Sequence, residues 1–221
     1  MSWQLDVILM QNNESLHKVL WNLNIGIANK CLNHPFVQGI KDGTLNENAF
    51  KIYVAQDAFF LRAFRQAYAL AIAKCDDTET AKIFHRLMAG VLEELNLHKE
   101  YSRKLGIDIE NVNPLPACRA YTDFLLRIAY QKGVDEIVAA VAPCMVLYAF
   151  IGKKLAEEHN KESRYIDWIK TYSNEDMQNL AKQMEDLLDT VAKNTEEVRD
   201  AYAYAMDCEL KFFDAPLDAK Q

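Results

Sequence analysis

Two acidic side chains lie where a helix should be apolar. Asp57 has aromatic and aliphatic neighbours at helical spacing on both sides, and Glu209 lies in a similar run near the end of the chain. A carboxylate on the apolar face of a helix is costly unless it is paired or neutralised. Both residues are therefore candidates for buried acids with a chemical role.

The apolar run VAPCMVLYAFIG contains a proline followed directly by Cys144. Pro143 either restarts the helix or kinks it. A restart would place Cys144 in a first turn, where the helix dipole favours the thiolate. A kink would free the carbonyl of Ala139 as a hydrogen-bond acceptor. In both cases Tyr148 lies one turn further along the same face.

A thiol and two carboxylic acids are the side chains that nucleophilic catalysis needs. A thiolate would attack, and a buried acid of raised pKa would donate protons. Each residue also has a structural interpretation. A buried acid is often a cap or an acceptor, a lone cysteine on an apolar helix usually packs, and clustered tyrosines usually belong to the core. The spacing leaves open whether these side chains meet.

A metal site is the competing chemistry. Glu94 and His98 lie four residues apart, and Glu157, Glu158 and His159 are adjacent. Di-iron bundles use Glu-x-x-His on facing helices, and neither group has that interval. We therefore expect no metal and no cofactor, and interpret Glu94 and His98 as a helix-face hydrogen bond.

The composition indicates one ordinary globular domain over residues 1–221, with 50% hydrophobic and 26% charged residues. The net charge of −7 and the scattered basic residues disfavour nucleic-acid and membrane partners. Five widely spaced cysteines favour a reducing, cytoplasmic compartment over a disulfide framework. The start MSWQLDVILMQNNES lacks a basic region, which disfavours a secretory signal. The apolar run over 137–152 is shorter than the roughly 20 residues of a membrane helix.

Apolar periodicity and the few glycines and prolines predict about eight helices in one all-α bundle. A capping box of Thr44 and Glu47 is predicted before the first long helix. The last two helices are predicted to begin at Ser173 and Asn194. The other predicted helices cover residues 46–74, 76–104, 135–159 and 164–170, and a further helix begins near Pro114 and Pro116 and ends at about Gln131.

These residues also carry a resemblance. The chain resembles the thiaminase II (TenA) family, a branch of the haem-oxygenase-like all-α fold, over nearly its whole length. The Gln-Asp pair, Pro-Cys-x-x-x-Tyr and Trp-x-x-x-Tyr are fairly specific in combination, although none is diagnostic alone. The matching segments are HPFVQGIKDGTL, YVAQD, AYTDFLL, PCMVLYAFIG, YIDWIKTYS and ELKFFD.

The resemblance implies a hydrolase of 4-amino-5-(substituted methyl)pyrimidines that supplies hydroxymethylpyrimidine for thiamine salvage. The leaving group is ammonia, from an aminomethylpyrimidine, or the thiazole of thiamine itself. Cys144 matches the nucleophile, and Glu209 matches the acid that exchanges protons with the ring and the leaving group. Asp57 matches the acid that binds the aminopyrimidine edge. The resemblance also implies a homotetramer.

The remaining site residues implied by the resemblance are aromatic. Tyr121, Tyr148 and Tyr172 match tyrosines that orient the cysteine or enclose the ring, and Phe212 matches an aromatic wall. The chain departs from the family pattern at Phe60, where the family often has tyrosine. The missing hydroxyl could change the preferred substrate or weaken turnover.

Two other functions fit the same bundle. The chain could bind a pyrimidine or another planar small molecule without turnover, or it could perform metal-dependent oxidative chemistry in the same cavity. Release of ammonia and hydroxymethylpyrimidine separates hydrolysis from binding, and stoichiometric iron in the pure protein would indicate the oxidative enzyme.

Overall fold

The computed structural model describes residues 14–159 and 161–219, in which the chain forms helices and no strands. The prediction of an all-α fold is confirmed, with nine helices in this part of the chain instead of about eight. The expectation that the start MSWQLDVILMQNNES is not a secretory signal concerns residues 1–15, of which residues 1–13 lie outside the described residues. The helices are α1 (Leu16–Leu32), α2 (Pro35–Asp42), α3 (Glu47–Lys74), α4 (Thr78–Leu105), α5 (Pro116–Gln131), α6 (Val134–Glu158), α7 (Ile166–Ser173), α8 (Glu175–Val191) and α9 (Glu196–Asp218).

Three predicted helix starts are wrong by one or two residues. In each case a later residue has the extended backbone of a cap, and its side-chain oxygen accepts hydrogen bonds from backbone N–H groups of the first turn. The caps are Asn46 instead of Thr44, Asn174 instead of Ser173, and Thr195 instead of Asn194.

Helix α6 runs without interruption through Pro143. Of the two alternatives at this proline, the restart is excluded, and Cys144 lies in the middle of the helix, away from the dipole of a first turn. Proline has no N–H group, so the carbonyl of Ala139 lacks its usual helical donor. Packing maintains the helix here, because most residues from Ile137 to Leu155 are buried against neighbouring helices.

Among the described helices, α6 alone is long and apolar enough to cross a membrane by length and composition. However, 72% of its most apolar window is buried inside the protein. It packs against α7, α8 and α9, and it also contacts α3 and α5. Burial on several sides explains its apolar sequence without a lipid environment.

Three helices carry the acids and the thiol into one hydrophobic core. Helix α3 packs against α4 and α5 and buries Asp57, and α9 packs against α6 and buries Glu209. Helix α6 lies between them with Cys144. Residues that are far apart in sequence therefore reach the same region of the core.

A close crossing of α6 and α7 fixes the position of Tyr172. A Cβ atom added to Gly152 would lie 2.4 Å from the backbone carbonyl of Tyr172. Only glycine permits this approach of the two helices, so Gly152 sets the height at which the Tyr172 ring meets Tyr148 on α6.

We expect Gly152→Ala to destabilise the protein by about 1–3 kcal/mol, because backbone atoms of α7 must move. Gly26→Ala is the matched control, since Gly26 is an exposed helical glycine with nothing within 4 Å of an added Cβ. That change should stabilise α1 by about 0.5–1 kcal/mol. Urea unfolding measures both, and equal midpoints for the two variants would contradict the close-crossing explanation.

Candidate active site

A cavity of about 70 Å³ lies between α3, α4, α6, α7 and α8. Four of the seven predicted site residues line it, and one further acidic residue, Glu94, lines it as well. Met145 and Met177 are also in the lining, and their flexible side chains allow a small cavity to adapt to a ligand. The predicted residues in the lining are Asp57, Cys144, Tyr148 and Tyr172.

Glu209 is not among the residues that line the cavity, although it lies next to Cys144. The Cys144 thiol and the Glu209 carboxyl are hydrogen-bonded to each other. The Tyr121 hydroxyl donates to Oε1 of Glu209 at 2.7 Å. Tyr121 therefore contacts Glu209, but it is not itself among the residues that line the cavity. The predicted nucleophile and the predicted proton donor are in direct contact.

Phe212 lies apart from the cavity lining. Its ring packs against Tyr53, with centroids 6.0 Å apart, and against Phe60, with centroids 5.8 Å apart. Phe60 in turn packs on the ring of Tyr121 at 4.8 Å. The role of Phe212 as a wall for the substrate ring stays a prediction.

The electrostatic environment keeps Cys144 protonated. Burial raises the pKa of the thiol well above 9.0, and the charges of Glu209, Glu94 and Asp57 raise it further. The alternative in which a first turn stabilises the thiolate does not apply, because Cys144 lies in the middle of α6. A nucleophilic Cys144 therefore needs a proton acceptor in contact with it, and Glu209 has that position.

Burial also raises the pKa of Glu209, from 4.5 to about 8. The negative charge of Asp57 adds to this increase, while the hydrogen bonds from Tyr121 and Cys144 oppose it. A carboxyl group with this pKa is mostly neutral at pH 7 and can donate a proton, as expected for a buried acid on an apolar face.

Asp57 is paired with His98, a contact that the sequence did not indicate. Oδ2 of Asp57 lies 2.7 Å from Nε2 of His98, and both side chains are buried. Burial lowers the pKa of His98, but the hydrogen bond and charge of Asp57 outweigh that effect and raise it to about 9. His98 is therefore an imidazolium at neutral pH, and it fixes the orientation of the Asp57 carboxylate.

Glu94 is the site residue that sequence reasoning missed. The predicted helix-face hydrogen bond exists, because Nδ1 of His98 lies 3.1 Å from the backbone carbonyl of Glu94. The Glu94 side chain, however, points to the cavity, and its Oε1 accepts a hydrogen bond from the Tyr172 hydroxyl at 2.9 Å. Glu94 shares the apolar face of α4 with Leu87, the same signal that singled out Asp57 and Glu209.

Aromatic rings form the wall of the site at α6 and α7. The rings of Tyr148 and Tyr172 lie 4.8 Å apart, and Trp168 packs on Tyr172 at 4.6 Å. The Tyr53 hydroxyl donates to Tyr148 and accepts from the indole of Trp168, each at 3.3 Å. This hydrogen-bonded group holds the tyrosines in place next to the cavity.

In the part of the chain that the structure describes, no group of three or more His, Cys, Asp or Glu side chains is arranged to hold a metal ion. Asp57, Glu94 and His98 instead bond to each other's atoms or to a tyrosine. The site has the groups for acid–base and nucleophilic chemistry.

These pKa shifts predict that stability falls as the pH rises. Glu209 and Glu94 have pKa values raised from 4.5 to about 8 and about 7, and the pKa of His98 rises from 6.5 to about 9. The folded protein binds these protons more tightly than the unfolded chain, so their contribution is complete below the unfolded pKa values and is lost through the folded ones.

Urea midpoints should therefore fall between about pH 5 and pH 9. In Glu209→Gln the urea midpoint should fall less between pH 4.5 and about 8, because the variant lacks the carboxyl that loses its proton over this range. A decrease of the same size in the variant would contradict the assignment to Glu209.

Known proteins resemble this chain in sequence and in fold. The sequence matches the family described as TENA/THI-4/PQQC over residues 25–219. It is 35% identical over 170 residues to the aminopyrimidine aminohydrolase of Halalkalibacterium halodurans. The aligned region covers 73% of this chain and 75% of that relative.

Solved structures confirm the predicted fold. A TenA homologue protein from P. horikoshii OT3 has a TM-score of 0.85 and 25% identity, covering 92% of this chain and 98% of the other. A domain with a heme oxygenase-like fold from Shewanella denitrificans OS217 has a TM-score of 0.68 and covers 91% of this chain and 90% of the other. At 16% identity that second likeness shows the fold alone.

Proposed function

The chain belongs to the TENA/THI-4/PQQC family, and we propose that it hydrolyses 4-amino-5-(substituted methyl)pyrimidines to hydroxymethylpyrimidine for thiamine salvage, with Cys144 as nucleophile. The relative named aminopyrimidine aminohydrolase supports the hydrolase class and the aminopyrimidine substrate. The observation that carries the residue assignment is the contact of the Cys144 thiol with Glu209, beside a cavity that Asp57 also lines.

Addition of the thiol to the ring is the first step. The sulfur bonds to the ring carbon beside the one that bears the methylene group, and the neighbouring ring nitrogen gains a proton. Glu209, with its pKa of about 8, gives its proton to that nitrogen while its other oxygen takes the thiol proton of Cys144. This relay explains how a protonated thiol serves as the nucleophile.

Expulsion of the leaving group is the second step. The amino group and the methylene-bearing ring carbon now form an enamine, whose electron pair expels the leaving group and creates an exocyclic double bond. Positive charge develops on the amino nitrogen. Asp57, held by His98 through Oδ2 at 2.7 Å, offers its other oxygen to that nitrogen.

Hydrolysis ends with water adding to the exocyclic methylene, and the proton that this water loses passes to the departed leaving group or to solvent. The sulfur then leaves the ring, and the proton on the ring nitrogen returns to it through Glu209. The products are hydroxymethylpyrimidine and the former leaving group, and the Cys144 thiol is restored. Tyr148 and Tyr172 enclose the flat ring during these steps, which suits aromatic walls.

The test is incubation of the protein with aminomethylpyrimidine. We expect ammonia and hydroxymethylpyrimidine in equal amounts, and parallel reactions with thiamine compare kcat/KM for the two leaving groups. Binding without product would instead support the small-molecule binding protein. Stoichiometric iron in the purified protein would support the oxidative enzyme and contradict the expectation of no metal.

We also propose that the protein is a cytoplasmic homotetramer with one domain over residues 1–221. Support comes from the family resemblance and from large apolar side chains left on the surface of the subunit, including Leu23 (64% exposed) and Tyr130 (67% exposed). Light scattering of the purified protein measures the oligomeric state, and a monomer at micromolar concentration would contradict the tetramer.

A further inference from the structure

Glu94 is an acidic residue in the cavity lining that takes no part in the reaction steps described above. Its side chain lines the same cavity as Asp57 and Cys144, and only its Oε1 has a hydrogen-bonding partner in the described residues, the hydroxyl of Tyr172. The second oxygen remains available to a ligand. A carboxyl group on the apolar face of a helix is costly to maintain, so its presence in a cavity calls for a chemical reason.

The substrate's geometry indicates what Glu94 faces. The methylene group sits on the ring carbon between the carbon attacked by sulfur and the carbon that bears the amino group. If Cys144 and Asp57 take those two neighbours, the leaving group projects between them. Glu94 lines the same cavity as both residues, so its carboxyl is available to a leaving group that projects between them.

Gly90 supplies a second, independent observation at the same end of the cavity. It lies one helical turn before Glu94 and also lines the cavity. An added Cβ would meet only Leu180 Cδ1, at 3.8 Å, so helix packing does not require glycine there. Glycine inside a long helix costs about 1 kcal/mol relative to alanine. The space that it leaves belongs to the cavity beside the Glu94 carboxyl.

We propose that Glu94 is the catalytic residue on the leaving-group side, which holds the departing amine and then activates the water that replaces it. This proposal rests on the aminopyrimidine hydrolase function. The aminomethyl group binds as an ammonium ion, and a carboxylate is its natural partner.

The proton balance of this step is complete. Departure of neutral ammonia leaves the exocyclic methylene double bond and one positive charge on the ring system. When water adds to the methylene, one of its protons passes to the Glu94 carboxylate, and the hydroxymethyl product forms. The proton then passes to ammonia, which leaves as ammonium.

The surroundings of Glu94 suit a group that both gives and takes a proton. Burial and the charge of Asp57 raise its pKa from 4.5 to about 7, while His98 and the Tyr172 hydroxyl oppose the increase. The titratable groups that interact with it are Asp57 and Tyr68 from α3, His98 from α4, Cys144 from α6 and Tyr172 from α7.

The test compares Glu94→Gln with Glu93→Gln, an exposed neighbour on the same helix. For aminomethylpyrimidine we expect kcat to fall about 100-fold in Glu94→Gln and to stay unchanged in the control. The pH–rate profile of the variant should lose the ionisation near pH 7, which a merely structural role would not remove. Affinity for hydroxymethylpyrimidine should stay within about threefold, because the ring contacts remain.

A loss of kcat smaller than about tenfold, or an unchanged pH profile, would overturn the role of Glu94 while wild-type turnover kept the proposed function intact. Absence of turnover in the wild type would overturn both.

Gly90→Ala covers the case in which Glu94→Gln does not fold. The added methyl group should lower kcat/KM for an N-formyl aminomethylpyrimidine about tenfold more than for the unsubstituted amine, because the larger leaving group needs the space. Equal effects on the two substrates would place the leaving group elsewhere and overturn the proposal.

Discussion

Replacing Cys144 by serine should lower kcat for aminomethylpyrimidine by about 10³-fold or more while leaving affinity for hydroxymethylpyrimidine nearly unchanged. A hydroxyl group is a far weaker nucleophile than sulfur toward an aromatic ring carbon, and Glu209 cannot accept its proton as easily. Serine is close to cysteine in size and can donate to the same carboxyl, so the cavity wall should persist.

Cys75→Ser is the matched control for this change. Cys75 is a partly buried cysteine outside the cavity, and its thiol donates to the backbone carbonyl of Ala71 at 3.1 Å. Serine can make the same bond, so activity and stability should stay at wild-type levels. Turnover by Cys144→Ser at a rate similar to that of the control would remove Cys144 as the nucleophile.

Glu209→Gln should lower kcat by about 10²–10⁴-fold. Glutamine keeps the shape of the side chain and an oxygen for the Tyr121 hydroxyl. It cannot pass a proton from the Cys144 thiol to the ring nitrogen, so both the addition and the final expulsion of sulfur become slow. The pH–rate profile should also lose the ionisation near pH 8.

Tyr121→Phe separates proton transfer from positioning. It removes the 2.7 Å hydrogen bond to Glu209 but leaves the carboxyl able to exchange a proton. The expected loss is about tenfold, clearly smaller than for Glu209→Gln. Steady-state kinetics of both variants over the same pH range provide the measurement. If Tyr121→Phe had the larger effect, Glu209 would not be the proton-transferring group.

The fold and the two buried acids could be predicted because they depend on local periodicity. Asp57 and Glu209 each interrupt the apolar face of a single helix, and this conflict is visible without knowing the partner helices. The contacts of these acids could not be predicted from local periodicity. The pairing of Asp57 with His98 joins α3 to α4 and depends on the height and rotation of one helix against the other.

The same limit explains why Glu94 was interpreted as part of a helix-face hydrogen bond. The spacing of Glu94 and His98 gives their common face, and the bond to the backbone carbonyl is local. The contact of the Glu94 carboxyl with Tyr172 comes from α7, whose approach depends on Gly152 in α6. Sequence spacing cannot specify a contact that is set by a third helix.

Local signals also failed where packing opposed them. Pro143 is a strong helix breaker, yet burial on several sides of α6 keeps the helix continuous, so Cys144 has no first-turn dipole. At Phe60 the chain lacks the tyrosine hydroxyl that is frequent in the family, and the surroundings of the ring are compatible with that loss. Phe60 packs among the rings of Phe64 and Tyr121 and needs no hydrogen-bonding partner there.

The most direct measurement is a crystal structure of the protein with hydroxymethylpyrimidine bound. We expect the ring in the cavity, with the Cys144 sulfur about 3.5 Å from the ring carbon beside the substituted one. Asp57 should bond to the amino group, and Glu209 should lie within reach of the ring nitrogen. A ring bound outside this cavity, or a Cys144 sulfur that faces no ring carbon, would contradict the proposed hydrolysis.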